Sequence, residues 1–221
     1  MKVWIVIPAY NENGRLAKVL ISLPAGYPVV VVDDGSAARV NTKKAIVLRH
    51  EINLGKGAAM KTGADYAFSQ GADAVIFMDA DGQHQARDIS SFSSFLSLGY
   101  DVVIGSRLPS LQTPLVRLLG NKFASIYMNI LFGIYISDII SGFRALTKKA
   151  YQLLRWDARR YGVETEMVAR LGLHKARLRY IEFPIESVYI DKYKGVTLVH
   201  ALEIFGHTLW WKLYWVFKFW Q

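Results

Sequence analysis

Short runs of β-branched and apolar residues alternate with helix-period patterns through the first hundred positions of the chain. Lys2 to Ile7, Val29 to Val32, Ala45 to Leu48, Val75 to Met78 and Val102 to Ile104 are near-continuous apolar runs that predict strands. Runs of this kind suit a parallel sheet covered on both faces, because neither side of a strand is left to solvent. Between them, 13–22, 56–69 and 86–97 carry helical periodicity. Strand–helix alternation at this spacing predicts an α/β layered fold built from βαβ crossovers.

The texture changes after Arg107. Pro114 opens a predicted helix to Phe132, with Leu115, Leu119, Phe123, Ile126 and Ile130 among the residues of one broad apolar face. Helices are expected at 147–155 and 163–173, and strands at 177–183 and 186–190. No repeat or low-complexity linker interrupts 1–195, which reads as one domain. From Thr197 a helical pattern sets His200, Glu203 and His207 on a polar stripe. It then becomes almost wholly apolar from Leu209 to Trp220, where four of the six tryptophans lie. That run is shorter than the roughly 20 residues needed to cross a bilayer. Tryptophan and tyrosine favour the headgroup region, and Lys212 and Lys218 can reach anionic lipid heads. Residues 196–221 therefore predict an amphipathic, membrane-associating helix lying in the interface. Packing over the core, or in a homodimer, is the alternative.

Length and composition narrow the classes. A chain of 221 residues can bury one sizeable core. The absence of cysteine excludes disulfides, thiolate metal sites and a thiol nucleophile. The N-terminal apolar stretch, Val3 to Ile7, is too short for a signal peptide, which implies a cytosolic-facing protein. Charge is lopsided: residues 1–104 carry ten Lys or Arg against ten Asp or Glu, and residues 105–221 carry seventeen against eight. A basic second half implies anionic partners such as phosphates or an anionic membrane face. Nucleic acid is disfavoured, because no recognition motif appears and the aromatics cluster in the tail instead of interleaving with arginine.

The chemistry concentrates at the ends of the predicted strands. Val75 to Met78 runs into Asp79-Ala80-Asp81-Gly82-Gln83-His84. Ligands of open α/β sheets bind beyond the carboxyl ends of the strands. Two carboxylates there can hold Mg2+ or Mn2+, ions that bind through one or two carboxylates plus substrate phosphates. Three further stretches surround the pair. In Pro8-Ala9-Tyr10-Asn11-Glu12, Tyr10 can stack on a base and Glu12 can accept a hydrogen bond. In Asp33-Asp34-Gly35-Ser36, either carboxylate can meet base or ribose, or Asp34 or Ser36 can cap a helix. Asn53-Leu54-Gly55-Lys56-Gly57-Ala58 lacks the spacing of a phosphate loop but lets backbone approach a nucleotide, with Lys56 near phosphate.

Together these stretches resemble the GT-A glycosyltransferases of family 2. Gly105-Ser106-Arg107, Ser141-Gly142-Phe143-Arg144-Ala145 and Glu164-Thr165-Glu166-Met167 narrow the resemblance to the polyprenyl-phosphate (dolichyl-phosphate) mannosyl- and glucosyltransferases, over roughly residues 2–190. The resemblance implies a Rossmann-like, mostly parallel sheet with flanking helices. It implies inverting transfer of a hexose from a nucleotide-sugar donor, of GDP-mannose or UDP-glucose type, to a lipid monophosphate at the cytoplasmic face of the cell membrane, or of the endoplasmic reticulum in a eukaryote. By position, Pro8, Tyr10, Glu12, Asp34, Lys56 and Asp79 would meet the donor nucleotide. Asp79, Asp81 and Gln83 would hold the metal, and Arg107, Arg117, Ser141 and Arg144 the acceptor phosphate. Asp81, Arg107, Asp138 and Arg144 would act in the reaction itself. Two departures stand out: neither Gln85 nor Ala86 is the proline common in the family, and Lys192-Tyr193-Lys194-Gly195 replaces an arginine-containing Gly-x-Ser-Lys run. The departures leave the sugar and the base open.

A phosphate monoester, with a second pKa of about 6, is already largely anionic at neutral pH and needs cationic clamping instead of a strong base. A hydroxyl acceptor, as in glycan elongation, would need a carboxylate base. Asp138 is then the first candidate, with Glu164 or Glu166 next.

Overall fold

A computed structural model of the protein describes residues 1–109, 115–159, 162–186 and 198–218, the side chains of 116, 117, 198–204 and 216–218 excepted. The expected strand over 186–190 lies, beyond Glu186, outside the described residues, as do Lys192 to Gly195, Trp220 and the side chains of Arg117, His200, Glu203 and Lys218.

Seven strands form one sheet: β1 (Val3–Ala9), β2 (Val29–Asp34), β3 (Ile46–His50), β4 (Ala74–Phe77), β5 (Val102–Arg107), β6 (Arg144–Thr147) and β7 (Tyr180–Ile185), in the order β3-β2-β1-β4-β6-β5-β7. The pairings β1·β2, β2·β3, β1·β4 and β5·β7 are parallel, and β6 runs antiparallel to β4 and β5 on either side of it. The sheet is therefore mostly parallel with one reversed strand. Side chains alternate across it with a period of two. Ile5, Ile7, Ala74 and Ile76 pack on one face with Leu16, Leu20, Phe92 and Leu96, which come from α1 (Asn13–Ser22) and α3 (Ile89–Ser97). Trp4, Val6, Val75 and Phe77 pack on the other against α2 (Lys56–Ser69), α4 (Leu115–Phe132), α5 (Lys148–Leu154) and α6 (Val163–His174). Both faces of the central strands are apolar for this reason.

The predicted strands and helices of the first hundred residues are present, the third helix opening with a 3-10 turn at Ala86–Asp88. Strand β6 had no counterpart among the expected elements. Its four residues, Arg144–Thr147, begin with a charge and are too short to show a period.

The predicted helix 114–132 forms as α4, but only part of its broad apolar face turns inward, Tyr127 and Leu131 packing on the core. Ser125, Met128 and Phe132 are buried, whereas Leu115, Leu119, Phe123, Ile126 and Ile130 are exposed. The tail forms one 21-residue helix, α7 (Leu198–Lys218), that folds back on α4 and α6. The Tyr127 and Phe205 rings lie 4.2 Å apart, Thr208 Oγ1 donates to Tyr127 Oη at 3.3 Å, and Arg170 covers Trp215 at 5.1 Å. Among the described residues, no helix is long and apolar enough to cross a membrane.

Helix α2 approaches the sheet closely because its inner face is small: Gly57, Ala59, Gly63, Ala64 and Ala67 are buried. A methyl at Gly63 would collide with Val6 Cγ1 and lie 3.1 Å from Val32 Cγ2. Gly63→Ala is therefore expected to cost about 1–3 kcal/mol in denaturant unfolding, as overpacking does. Gly14→Ala in α1 meets nothing within 4 Å and should be neutral or stabilising by up to about 1 kcal/mol. Equal midpoints for wild type and Gly63→Ala would contradict this packing.

Candidate active site

The carboxyl ends of β1, β2 and β4 open onto a cavity of about 610 Å³. Pro8, Tyr10, Glu12, Asp34, Lys56, Asp79 and Asp81 all line it. The cavity sits where the chain order reverses, since β1 leads to β2 on one side and lies beside β4 on the other, and open α/β sheets bind ligands at such a switch point. The reversed direction of β6 completes the site. Its first residue pairs with the last of β4, Phe77 with Arg144, so the preceding Ser141-Gly142-Phe143 turn arrives at the same end.

The rim is braced by local hydrogen bonds. Asn11, with φ of 56°, occupies the left-handed region that asparagine tolerates. Its N–H donates to Ser36 Oγ at 2.9 Å, and its Oδ1 accepts from Ala37 N at 2.9 Å, which leaves Tyr10 exposed at the mouth. Ser36 thus bridges two turns instead of capping a helix. The two carboxylates of β2 divide their work. Asp34 faces the cavity and accepts from the N–H groups of Leu54 and Gly55, at 2.9 and 2.8 Å, with His50 Nδ1 at 2.7 Å. Asp33 points away, accepting from Ser36 N, Val40 N and the Arg49 guanidinium.

Charges converge on the floor. Lys56 Nζ lies 2.7 Å from Asp79 Oδ1 and 2.8 Å from Glu164 Oε1. Burial alone would favour the neutral acid at Asp79, but the Lys56 ammonium and, more weakly, Arg107 hold its pKa down to about 2. Burial likewise opposes the charge on Lys56, and Asp79 and Glu164 more than compensate, pushing its pKa well up. His84 is driven toward the neutral form by burial. Its geometry agrees: Nδ1 accepts the Asp79 N–H at 3.2 Å, so that nitrogen carries no proton, and the ring stacks on Phe143 with centroids 4.7 Å apart. Gly142 is needed here, because a Cβ at this position would lie 2.7 Å from Lys56 Nζ and 2.8 Å from Asp79 Oδ2.

Beside this cluster, Arg107 at the end of β5 grips Asp138 with two parallel bonds, Nε to Oδ2 at 2.6 Å and Nη2 to Oδ1 at 2.7 Å. Glu182 fixes the turn by accepting from Ser137 N at 2.8 Å and Asp138 N at 3.1 Å.

Residues 4–154 match the family model described as Glycosyl transferase family 2. The chain belongs to that family. It is a glycosyltransferase. Its relatives include a UDP-N-acetylglucosamine–dolichyl-phosphate N-acetylglucosaminyltransferase of Methanococcus voltae, 30% identical over 94% of each chain. An undecaprenyl-phosphate mannosyltransferase of Micrococcus luteus is 32% identical, over 85% of this chain and 84% of the relative. In fold the chain matches glucosyl-3-phosphoglycerate synthase of Mycobacterium tuberculosis, solved with Mg2+ and UDP, with a TM-score of 0.74 and 18% identity over 96% of this chain and 79% of that one. The sheet and its flanking helices are those of a GT-A glycosyltransferase.

In this family 2 enzyme the donor set at the sheet's end fits a hard divalent cation bound jointly with a diphosphate. Asp79 is ionised, and Asp81 stands two residues on, one oxygen accepting the Gln83 N–H at 3.0 Å. Among the described residues, no three His, Cys, Asp or Glu side chains converge as a complete metal cage. Substrate oxygens would supply the remaining ligands, as is usual for Mg2+. The Gln83 side chain is not among the groups lining the cavity.

Three expectations need correction. Arg144 does not present its guanidinium to an acceptor phosphate: it is buried, and donates to the carbonyls of Ser141 at 2.7 Å, Glu164 at 2.9 Å and Ile139. It ties the Ser141–Gly142 turn to α6. Glu166 is no proton acceptor, because it accepts from Asp157 N at 3.0 Å, Ala158 N at 2.8 Å and Arg170 Nε at 2.8 Å. Asp138, taken bidentately by Arg107, is poorly placed to act as a base. Ser141 Oγ is buried and has no hydrogen-bond partner among the described residues. Glu182 and the loop around Trp156, whose Nε1 donates to Gly57 O at 2.8 Å, were not foreseen. A lone acid in a strand-like run gives no sequence signal of what it caps.

The two carboxylates of α6 should separate in experiment. Glu166→Ala strands buried N–H groups and an arginine, and is expected to lower stability by about 3 kcal/mol in chemical denaturation. Glu164→Gln should unfold within about 1 kcal/mol of wild type and lose at least about tenfold in turnover through Lys56. Matching behaviour of the two variants would refute the division.

Proposed function

We propose that the enzyme transfers a hexose, with inversion, from a nucleotide-sugar donor of GDP-mannose or UDP-glucose type to a polyprenyl or dolichyl monophosphate. The reaction takes place at the cytoplasmic face of the membrane, with residues 1–195 as the catalytic domain and 196–221 as a membrane-associating helix. The observation that carries this reading is the meeting of Asp79, Asp81 and Lys56, with Arg107 close enough to act electrostatically, at the floor of one cavity of nucleotide-sugar size. The lipid-phosphate substrates named for the relatives from M. voltae and M. luteus support the acceptor class.

Pro8, Tyr10, Glu12 and Asp34 would receive the nucleoside, Tyr10 by stacking. Asp79 and Asp81, with Gln83 nearby, would hold Mg2+ or Mn2+, which supplies Lewis-acid neutralisation of the leaving diphosphate. Lys56 adds a fixed positive charge beside the same carboxylates. The bond from the anomeric carbon to the donor diphosphate breaks as a phosphate oxygen of the acceptor bonds to the opposite face of that carbon. Donor and acceptor phosphates repel, so the acceptor side needs a cation. Arg107, held in one plane by Asp138, provides it, with Arg117 and the Ser141 hydroxyl as further partners. A general base is unnecessary because the acceptor oxygen is already anionic. A hydroxyl acceptor would need one, and Asp138, the first candidate, is engaged by Arg107.

A donor screen tests the assignment: radiolabelled UDP- and GDP-hexoses offered with a short polyprenyl phosphate, with and without Mn2+. One donor is expected to give a metal-dependent, acid-labile lipid product. Asp81→Ala should lower that transfer at least about 100-fold and weaken Mn2+ binding seen by paramagnetic resonance in the presence of the nucleoside diphosphate, with unchanged circular dichroism. Full transfer by the chelator-treated variant would remove the metal from the reaction. Absence of lipid product from every donor would remove the acceptor class.

A further inference from the structure

Helix α4 has two unlike sides. Its inner side reaches the acceptor end of the site: Asn121 Nδ2 donates to Ser137 O at 2.8 Å, one turn from the buried Ser125 and then Met128 and Phe132. Its outer side carries Leu115, Leu119, Phe123, Ile126 and Ile130 at spacings of four, four, three and four residues, a single helical stripe. All five are exposed, between 45% and 76%. Alongside, α7 turns Trp211 and Trp215 toward the core and leaves Leu209, Trp210, Leu213 and Tyr214 outward. Phe123 and Phe205, with ring centroids 5.4 Å apart, join the two stripes into one surface. Soluble monomers rarely expose contiguous apolar patches of more than a few hundred Å².

We infer that α4 is a membrane-inserting helix in its own right, and that α4 and α7 together form one platform for an anionic bilayer surface. Charge decides the occupant. Helix α4 contains Arg117 and Lys122 and no acidic residue, α7 carries Lys212 and Lys218 against Glu203 alone, and Lys175, which donates to Gly133 O just past α4, adds another cation. A second copy of this basic surface would be repelled, whereas acidic lipid headgroups would be drawn to it and the stripe buried in the acyl boundary. The consequence is geometric. Asn121 and Phe123 lie on opposite sides of one helix, so seating the stripe in lipid fixes Arg107 and Asp138 about one helix diameter, roughly 10 Å, above it. That is headgroup depth, where a lipid-borne phosphate resides. Only this placement of the acceptor rests on the proposed function; insertion itself does not.

The chain has no cysteine, so single cysteines can carry an environment-sensitive fluorophore without background. In the full-length protein, labels at Leu119→Cys and Phe123→Cys should shift to the blue on addition of vesicles of phosphatidylcholine with phosphatidylglycerol, and a label at Ser94→Cys on α3 should not. The double variant Phe123→Glu/Ile130→Glu should lose at least about tenfold in vesicle affinity, while keeping the wild-type melting curve and nucleoside-diphosphate binding. Wild-type sedimentation of this variant with vesicles, or no blue shift at 119 and 123, would overturn the inference. So would a lipid-free dimer that the variant dissociates with vesicle binding unchanged. Intact vesicle binding with no hexose transfer to any lipid phosphate would leave the platform standing and remove the proposed function.

Discussion

One ammonium group between two carboxylates organises the working end of this sheet. Lys56 opens α2, Asp79 follows β4 and Glu164 lies in the first turn of α6, and both carboxylates come within 2.8 Å of Lys56 Nζ. Each element brings a charge that burial would penalise if it were alone, and the contact offsets that cost. The pair also sets the space around it: Gly142 is pressed so closely against Lys56 and Asp79 that a side chain there would have to displace them. Backbone strand order and side-chain charge therefore specify one arrangement. The reversed strand β6 brings Gly142 to the pair, and Arg144 at its start anchors the same turn to the Glu164 carbonyl.

A second consequence is that the family 2 site arrives already ionised. With its pKa near 2, Asp79 is a full anion across the physiological range, and the cation beside it is equally fixed. Lys56 offsets only one of the two carboxylates it sits between, and Asp81 lines the same cavity, so the cluster keeps an acidic excess. On the proposed function, a divalent cation would answer that excess and a substrate diphosphate would complete its coordination.

Much of this was legible along the chain because the informative residues terminate strands. Apolar runs ending in Asp34 and Asp79 declare both the strand and the end at which a ligand sits, and Pro8 to Glu12 and Asn53 to Ala58 fall at the same edge for the same reason. What the sequence could not supply was side-chain direction. Glu164 and Glu166 are two residues apart on one helix, yet one reaches Lys56 and the other closes a backbone loop. Asp33 and Asp34 point to opposite faces because strand neighbours must. Arg144 stands in a motif associated with substrate, but β6 and α6 enclose it, and three carbonyls take its donors. Each outcome depends on which distant segment packs alongside, and local pattern carries no record of that.

The same limit explains α4, and there the discrepancy is informative. A broad apolar face on a helix is ordinarily evidence of where the core lies. Here the core takes Ser125, Met128 and Phe132, with Ala124, Tyr127 and Leu131 packed beside them, and the rest of the face is left outward. A chain selected only to fold would gain nothing from five large apolar side chains in water, and would risk aggregation through them. Their retention on the side of α4 opposite Asn121, which donates to Ser137 O, ties the apolar surface to the turn that holds Arg107 of β5. On the proposed function, that link through one helix would let the enzyme meet a substrate whose phosphate and chain lie in different solvents.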